Sequence, residues 1–349
     1  MALKIEYTVS TLPFQYPFTI SGGRTKTVQQ ALVVRISVDG FLGYGEAPAI
    51  SYYNIPIEKM IFDLESNLTI LENSTFNHPT DFYSLLIELF PNNSFLRCAL
   101  DMAFWDAFGK RKNLPLYKIW DLEWRENLPL TDYTIGIGDL NNLIEKLNSN
   151  PWPVYKLKVG DQDDIKNLIQ LRKYSESSFR IDANGGWSIE EAQEKITQCS
   201  NLNIELIEQP LHINDIDYMH KLKSISKIPL FADESCVHEN DVDKCTTGFH
   251  GINIKLTKCG GITPALRMIQ NARKNSLLIM VGSMNESSIG SAAIANLLPL
   301  IDYVDMDGPL LLTEDLATGL KIKNGEIELS GQPGLGIQVK DHLFPTQVK

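Results

Sequence analysis

Five short apolar segments in the middle of the chain each end in a charged residue, and they recur at nearly constant spacing. The charged residues are 24, 26, 25 and 22 residues apart, about the length of one strand, loop and helix. Parallel strands that alternate with helices at this spacing close into a barrel, and the carboxyl ends of its strands share one face. The five charges are therefore predicted to converge at one end of a barrel. They are Lys158, Asp182, Glu208, Asp233 and Lys255.

The first part of the chain has a different pattern. Residues 3–12 and 31–46 alternate apolar and polar side chains, and the Asp39-Gly40 pair is typical of a two-residue hairpin turn. These features predict an α+β domain before the barrel. Helical patterns follow at 57–73, 80–90 and 94–110. The last pattern places an apolar stripe along one face, formed by Leu96, Ala99, Leu100, Ala103, Phe104 and Phe108.

Eight short β-like runs begin at about residue 130, with room for a helix between most of them. After Gly308 the sequence shows turns and a short strand instead of a clear eighth helix, so the C-terminal segment is expected to return to the N-terminal domain. The predicted fold class is α/β, a (β/α)7β TIM-type barrel with an N-terminal α+β capping domain. The predicted boundaries are 1–125 for the capping domain, joined by 320–349, and 126–319 for the barrel.

Composition disfavours several classes of partner. The formal net charge is −11 at pH 7 without a cluster of Lys and Arg, whereas a nucleic-acid-binding protein needs one. No apolar stretch approaches the roughly 20 residues that cross a bilayer, so no membrane partner is expected. The five cysteines form no C-x-x-C pair, which disfavours a disulfide framework and favours a cytoplasmic location. The expected partner is a small-molecule substrate, and a homo-oligomer is left open.

Barrel geometry predicts how the five charges meet. In an eight-stranded barrel the second and sixth strands are opposite each other, so Lys158 and Lys255 should face each other across a pocket. Asp182, Glu208 and Asp233 end neighbouring strands between them. Three carboxylates this close cannot all stay ionised without a cation. Oxygen ligands of this kind suit Mg²⁺ better than Zn²⁺ or Ca²⁺, so one Mg²⁺ per subunit is expected.

Lys156 is two residues before Lys158, and side chains two apart on a strand share a face. Two neighbouring ammonium groups near a divalent ion are expected to depress each other's pKa, so that a lysine can act as a base near neutral pH. Two bases on opposite faces of one carbon remove its proton from one side and return it from the other, which inverts the stereocentre. A metal that chelates the adjacent carboxylate stabilises the enolate formed by proton loss.

Five motifs carry a resemblance to a known family over nearly the whole chain, capping domain included. They are K-x-K at 156–158, D-A-N at 182–184, E-Q-P at 208–210, A-D-E-S at 232–235 and N-I-K at 253–255. With them the chain resembles the enolase superfamily, and within it the muconate lactonizing enzyme subgroup. The resemblance implies Mg²⁺ on the three carboxylates, acid/base roles for Lys158 and Lys255, and enolate stabilisation by Lys156, which would also bind the substrate. The implied metal ligands are Asp182, Glu208 and Asp233.

Asp305 and Asp307 end the eighth β-like run and are two residues apart, so both are predicted to point inward. The eighth strand lies opposite the fourth, so these carboxylates should face the metal across the pocket. A molecule with an ammonium at one end and a carboxylate at the other suits both walls, and a dipeptide has about that reach. The pair is similar to the D-x-D signature of dipeptide epimerases, which hold the substrate ammonium with it. The alternative is an acidic pair that caps the following turn.

Arg24 lies in the segment TISGGRTKT, where glycines predict a mobile lid. The subgroup that the chain resembles has a specificity loop near this position. Arg24 resembles the arginine that pairs with the substrate's side-chain carboxylate in Ala-Glu epimerases. A solvated surface arginine is the alternative.

Other residues are expected to lie around the site and to take no direct part in the reaction. Asn184 and Glu234 are expected to hold metal ligands or a catalytic lysine in place. Tyr52 and Tyr53 are expected to line the pocket wall. Glu286 is expected to reach the rim of the pocket from the seventh strand.

The function expected from the sequence is Mg²⁺-dependent epimerisation of dipeptides at the α-carbon of the C-terminal residue. The mechanism is a two-base 1,1-proton transfer through a metal-stabilised enolate, with L-Ala-D/L-Glu derived from peptidoglycan as the expected substrate. Alternatives within the same subgroup are an N-acylamino acid racemase and an o-succinylbenzoate synthase, neither of which requires Asp305 and Asp307. A catalytically silent barrel that binds dipeptides is the alternative that is not an enzyme.

Overall fold

The N-terminal part of the chain is a three-stranded antiparallel sheet in the order β1-β2-β3. Asp39 and Gly40 join β2 to β3 with φ angles of 54° and 85°, which confirms the predicted hairpin. The strands are β1 (Leu3–Ile20), β2 (Arg24–Val38) and β3 (Phe41–Pro48). The computed structural model describes residues 3–20, 24–160 and 163–345, and the side chains of residues 18–20 and 24 lie outside the description.

Three helices follow the sheet where the sequence predicted them, and a fourth, short helix comes after them. They are α1 (Ile57–Asn73), α2 (Pro79–Leu89), α3 (Ser94–Lys112) and the short α4 (Leu116–Ile119). Helix α3 packs on β3 at Gly43 and Gly45. A methyl group added at Gly45 would lie 1.9 Å from the Ala99 carbonyl oxygen, and one at Gly43 would lie 2.0 Å from that of Ala103. Glycine at both positions therefore allows the helix backbone to approach the strand closely.

Helix α3 is buried on both faces. The sequence predicted a single apolar stripe on it. One face, which includes Ala99 and Phe104, packs in the core of the N-terminal domain. The opposite face, which includes Cys98, Met102 and Trp105, packs in the core of the barrel. The predicted stripe was incomplete because this helix is the layer between two cores.

Eight parallel strands in sequential order form the second sheet. A parallel bridge between Thr131 and Val304, and a hydrogen bond of 2.9 Å from Met306 N to Thr131 Oγ1, join its first and last strands into a barrel. This confirms the predicted α/β fold, a (β/α)7β TIM-type barrel with an N-terminal α+β capping domain. The strands are β4 (Tyr133–Ile135), β5 (Val154–Lys158), β6 (Ser178–Asp182), β7 (Ile204–Glu208), β8 (Leu230–Ala232), β9 (Gly251–Lys255), β10 (Leu278–Gly282) and β11 (Tyr303–Asp305).

Helices connect the barrel strands, and a four-residue helix follows the last strand where no full helix was expected. They are α5 (Leu140–Ser149), α6 (Asp164–Leu171), α7 (Ile189–Cys199), α8 (Met219–Ile225), α9 (Val242–Cys245), α10 (Leu256–Cys259), α11 (Ile262–Lys274), α12 (Ser288–Ala295) and α13 (Gly308–Leu311). Within the described ranges, no helix is long and apolar enough to cross a membrane.

The C-terminal segment contacts both parts of the molecule. Leu335 N donates a hydrogen bond of 2.8 Å to Asp106 Oδ1 in α3, and Thr131 N donates one of 2.9 Å to Gly325 O. The domain boundaries at residues 125 and 319 stay predictions. The segment contains two antiparallel strand pairs, formed by β12 (Ala317–Thr318) with β15 (Gln338–Val339) and by β13 (Leu320–Lys323) with β14 (Glu326–Leu329).

Candidate active site

A cavity of about 210 Å³ lies at the carboxyl ends of the barrel strands. Residues of the N-terminal domain and of the segment after β10 complete its wall. The cavity therefore lies where the two domains meet, a common place for a binding site. The lining residues are Lys26, Ile50, Tyr52, Tyr53, Thr134, Lys156, Lys158, Asn184, Asp233, Glu234, Lys255, Ser283, Met284, Asn285, Asp305 and Asp307.

The register of the strands brings Asp182, Glu208 and Asp233 together. Asp182 pairs with Glu208 across β6 and β7, and Glu208 pairs with Phe231 of β8, two residues before Asp233. At most 1% of each of the three acidic residues is exposed. Burial raises the pKa of Glu208, and the neighbouring Asp182 carboxylate adds to that effect. The group therefore needs nearby positive charge to stay ionised.

The ammonium group of Lys156 supplies part of that charge. Its Nζ lies 2.6 Å from Asp305 Oδ2, 2.7 Å from Glu208 Oε2 and 3.1 Å from Asp182 Oδ2. Burial by itself lowers the pKa of Lys156, but these carboxylates outweigh it and raise the pKa well above its usual value. One ammonium thus joins Asp305 to the acidic group on β6 and β7.

Lys158 and Lys255 contact the acidic group from different strands. Lys158 Nζ donates to Asp182 Oδ2 at 2.5 Å, and Lys255 Nζ donates to Asp233 Oδ2 at 2.7 Å. Their strands, β5 and β9, are separated by three strands in either direction around the barrel, which places them on opposite sides. Both lysines line the same cavity.

The lowered pKa expected for Lys156 and Lys158 beside a divalent ion stays a prediction, and nearby carboxylates determine the pKa of Lys255 in the structure. Burial lowers the pKa of Lys255, but Asp233 and Glu208 outweigh this and raise it well above its usual value. Carboxylates at 2.6 to 3.1 Å from each ammonium dominate over the repulsion between the ammonium groups. A base function for Lys255 therefore depends on neutralisation of the carboxylates.

Asn184 contacts the acidic group directly and links it to Glu234. Asn184 N donates to Asp182 Oδ1 at 3.0 Å, and its side chain accepts from Lys158 Nζ at 3.4 Å and donates to Glu234 Oε1 at 3.2 Å. Burial, with Asp233 nearby, raises the pKa of Glu234 to about 7. Both residues also line the cavity.

Asp305 and Asp307 are both buried and both line the cavity. Burial raises the pKa of Asp305, but the Lys156 ammonium outweighs it and holds the pKa below its usual value. Asp307 Oδ2 accepts a hydrogen bond of 2.6 Å from Thr134 N, and burial, followed by the charge of Asp305, raises the pKa of Asp307 to about 7. The Asp307 side chain caps no helical N–H of α13 among the described residues, so the turn-capping alternative has no support.

The donor set fits a hard divalent cation. Glu208 Oε2 accepts no hydrogen bond from the described residues, although the Lys156 ammonium lies 2.7 Å away. Three buried carboxylates on adjacent strands are oxygen ligands of the type that Mg²⁺ prefers. In ranges 3–20, 24–160 and 163–345, no three acidic, His or Cys side chains converge closely enough to hold a metal ion as they stand. Lys156 lies between Asp182 and Glu208 instead.

Three residues that fix the acidic group had no role assigned from the sequence. Asn253 Nδ2 donates to Glu208 Oε1 at 2.6 Å, and Gln209 Oε1 accepts from Asp233 N at 3.1 Å. Lys258 Nζ donates to Asp233 Oδ1. The strand alternation could have revealed Asn253, which is two residues before Lys255 and so shares its face. No such alternation indicates Lys258, because it lies after the strand and reaches the site only through the turn into α10.

The remaining expectations have mixed outcomes. Tyr52 and Tyr53 line the cavity, as expected, with ring centroids 5.0 Å apart. Glu286 does not line it: its side chain is buried next to Gly290, and Ser283, Met284 and Asn285 form the wall there. The Arg24 side chain lies outside the described residues, so its role stays a prediction.

Comparisons with known proteins agree on the relationships of the chain. Residues 4–120 match the mandelate racemase / muconate lactonizing enzyme N-terminal domain, and residues 140–343 match the enolase C-terminal domain-like family. The chain is 43% identical over 326 residues to a Flavobacterium johnsoniae protein named L-Ala-D/L-amino acid epimerase, covering 93% of this chain and 96% of the relative.

Two solved structures are similar over nearly the full length. One is the Bacillus subtilis L-Ala-D/L-Glu epimerase in a substrate-liganded complex, with a TM-score of 0.89, 29% identity, and coverage of 96% of this chain and 98% of that one. The other is a Cytophaga hutchinsonii dipeptide epimerase complexed with Mg and D-Ala-L-Val, with a TM-score of 0.90, 28% identity and 98% coverage of both chains.

Proposed function

Because the chain belongs to the mandelate racemase/muconate lactonizing enzyme family of the enolase superfamily, we propose that it is a Mg²⁺-dependent dipeptide epimerase. It inverts the α-carbon of the C-terminal residue. The observation that carries this proposal is a cavity lined by Lys158 and Lys255 from opposite barrel strands. Asp305 at the end of β11 and Asp307 just after it line the same cavity. The epimerase names of its relatives support the same reaction class.

The two lysines transfer the proton. One of Lys158 and Lys255, in its neutral form, takes the α-proton on Nζ, and the C–H electron pair moves into the adjacent carboxylate to give an enolate. The ammonium group of the opposite lysine donates a proton to the other face of the same carbon. One lysine gains a proton and the other loses one, so the pair is ready for the reverse direction. The α-carbon leaves with inverted configuration.

Asp182, Glu208 and Asp233 are the residues that would hold Mg²⁺, whose charge would stabilise the enolate oxygens when it is bound. Two of these carboxylates, Asp233 and Glu208, raise the pKa of Lys255 in the structure. Their neutralisation would remove the cause of that shift and lower the pKa toward the range in which a lysine is a base. Lys156 contacts both Asp182 and Glu208 and would then be free to pair with the substrate carboxylate.

Asp305 and Asp307 would bind the ammonium group of the dipeptide. Both carboxylates are buried, and a buried carboxylate favours a cationic partner. An N-acylated amino acid has no ammonium to offer, so this pair favours a dipeptide over the substrates of a racemase or an o-succinylbenzoate synthase. We propose L-Ala-D/L-Glu as the substrate, with Arg24 pairing with the glutamate side chain.

The cellular context is a further part of the proposal. Dipeptides of this kind derive from peptidoglycan, and we propose that the chain recycles them in the cytoplasm. All five cysteines are free and buried, which supports a reducing compartment. A homo-oligomer stays a prediction, to be checked by sedimentation velocity.

The proposal is tested by α-proton exchange in D₂O, followed by mass spectrometry on a panel of dipeptides and N-acylated amino acids. L-Ala-L-Glu should take up one deuterium and epimerise. Lys158→Ala and Lys255→Ala should each lower epimerisation by at least about 100-fold. Each variant should still exchange the α-proton of one stereoisomer, and the two variants should act on opposite stereoisomers, because each retains the base on one face.

Lys244→Ala is the matched control, since this exposed lysine on α9 pairs with Asp241 away from the cavity. It should leave exchange unchanged. A wild type that prefers N-acylated amino acids would refute the dipeptide assignment in favour of the racemase. Absence of α-proton exchange with every substrate would favour the alternative of a catalytically silent barrel that binds dipeptides.

A further inference from the structure

Lys258 is a buried lysine at the third position of α10, three residues after Lys255, and only 1% of it is exposed. Its Nζ donates to Asp233 Oδ1, to Asp233 O at 2.6 Å, to Cys236 O at 3.1 Å and to Asn253 O at 3.2 Å. A buried ammonium must satisfy its protons within the protein. Here every acceptor belongs to the turn after β8 or to β9.

The two oxygens of the Asp233 carboxylate have different partners. Oδ1 contacts Lys258, which does not line the cavity, and Oδ2 contacts Lys255, which does. Gln209 Oε1 adds a third constraint, because it accepts from Asp233 N at 3.1 Å and from Ser235 N at 3.1 Å. Asp233 is therefore fixed at its backbone by Gln209 and at Oδ1 by Lys258. Its Oδ2 is the oxygen that faces the cavity.

We propose that Lys258 is a positioning residue that fixes the orientation of Asp233 for Mg²⁺ binding. Its ammonium occupies Oδ1 and leaves Oδ2 directed into the site, while its bonds to Cys236 O and Asn253 O hold the turn against β9. Lys258 touches neither the substrate cavity nor a reacting atom, so it acts only through Asp233. This role rests on the proposed assignment of Asp233 as a metal ligand.

The test is Mg²⁺ binding without substrate, measured by isothermal titration calorimetry on the full chain. Lys258→Met removes the ammonium and keeps an unbranched side chain of similar length. It should weaken Mg²⁺ binding by about 10- to 100-fold, the usual effect of losing a group that orients a metal ligand. Lys244→Met, on the neighbouring helix, should bind Mg²⁺ as the wild type does.

A second readout separates positioning from a general loss of structure. Raising Mg²⁺ by the factor lost in affinity should restore kcat of Lys258→Met, because only metal loading is impaired. Circular dichroism and a melting curve show whether the variant is folded. If Lys258→Met does not fold, Lys258→Gln replaces it, since an amide still donates to the carbonyl oxygens without a charge.

Several outcomes would overturn the proposal. A folded Lys258→Met protein with wild-type Mg²⁺ affinity would show that Lys258 does not orient Asp233, and so would a kcat that excess Mg²⁺ fails to restore. If neither variant folds, Lys258 serves the fold and the proposal falls. A wild type that binds Mg²⁺ but epimerises no dipeptide would refute the proposed function alone, because the affinity comparison needs no substrate.

Discussion

Replacement of Asp307 by Asn is expected to remove one ionisation from the acid limb of the pH profile of kcat/KM for a dipeptide and so make that limb shallower. Burial and the charge of Asp305 raise the pKa of Asp307 to about 7. Below that pH the side chain is protonated and offers no negative charge to the substrate ammonium. Asn keeps a side-chain oxygen that can accept the 2.6 Å hydrogen bond from Thr134 N, so the substitution removes the charge and preserves the contact.

The size of the effect follows from the ionised fraction. At one pH unit below a pKa of about 7, about one carboxyl group in ten is ionised, so wild-type kcat/KM should fall about 10-fold at about pH 6. The dipeptide ammonium loses its proton near about pH 8, so the wild-type profile should be bell-shaped with its maximum between the two values. At that maximum, Asp307→Asn should lose roughly 30-fold to several thousand-fold, from about 2 to 5 kcal/mol for a buried charge pair.

The assay is epimerisation of L-Ala-L-Glu, followed by polarimetry at saturating Mg²⁺ across the pH range, with the free-enzyme profile taken from kcat/KM. Glu234→Gln is the control, because burial and Asp233 raise the pKa of Glu234 to about 7 in the same cavity. It should retain the acid limb. N-acetyl-L-Ala-L-Glu, which has no ammonium group, should be a poor substrate of the wild type and lose little more with Asp307→Asn.

Two results would contradict this reasoning. If Asp307→Asn keeps the acid limb of the wild type with the same steepness, Asp307 does not contribute to that limb and does not bind the ammonium in its charged form. If Glu234→Gln loses the limb while Asp307→Asn keeps it, the limb belongs to Glu234.

Two other substitutions test separate parts of the structure. Burial, with Glu46 nearby, raises the pKa of Glu286 to about 8 from an ordinary value of 4.5. The protonated Glu286 side chain therefore adds to the free energy of unfolding fully below about pH 4.5, and this contribution is lost as the pH rises through about 8. Glu286→Gln should therefore flatten the fall in melting temperature over this range in differential scanning fluorimetry, and equal slopes would show that Glu286 is not the titrating group. Arg24→Ala should lower kcat/KM for L-Ala-L-Glu by at least about 10-fold while sparing dipeptides with an apolar second residue. An equal loss on both substrates would mean that Arg24 does not bind the glutamate carboxylate.

The architecture of the chain was readable from local sequence. Strand and helix periods are set by neighbouring residues, so the hairpin at Asp39-Gly40 and the long helices appeared where predicted. The spacing of Lys158, Asp182 and Glu208 was enough to place them at corresponding ends of adjacent strands. Each strand-helix unit follows the same path, so residues at the same place in successive units lie at the same level of the barrel.

The pairing of charges within the site was decided by tertiary structure. Lys156 contacts carboxylates from three strands, and that arrangement raises its pKa well above the usual value. A pKa depends on burial and on charges within a few ångströms, and most of these charges are distant in sequence. The sequence motifs identify the charged groups of the site but give no distances between them.

Contacts from outside the repeat were also invisible in the sequence. Lys258 lies after the strand end, and only the turn into α10 returns it to Asp233. Helix α3 displays one apolar stripe in sequence, yet both of its faces are buried because the barrel core covers the second. A periodic pattern records which face of an element is apolar, whereas the partner of that face is fixed only when distant segments pack together.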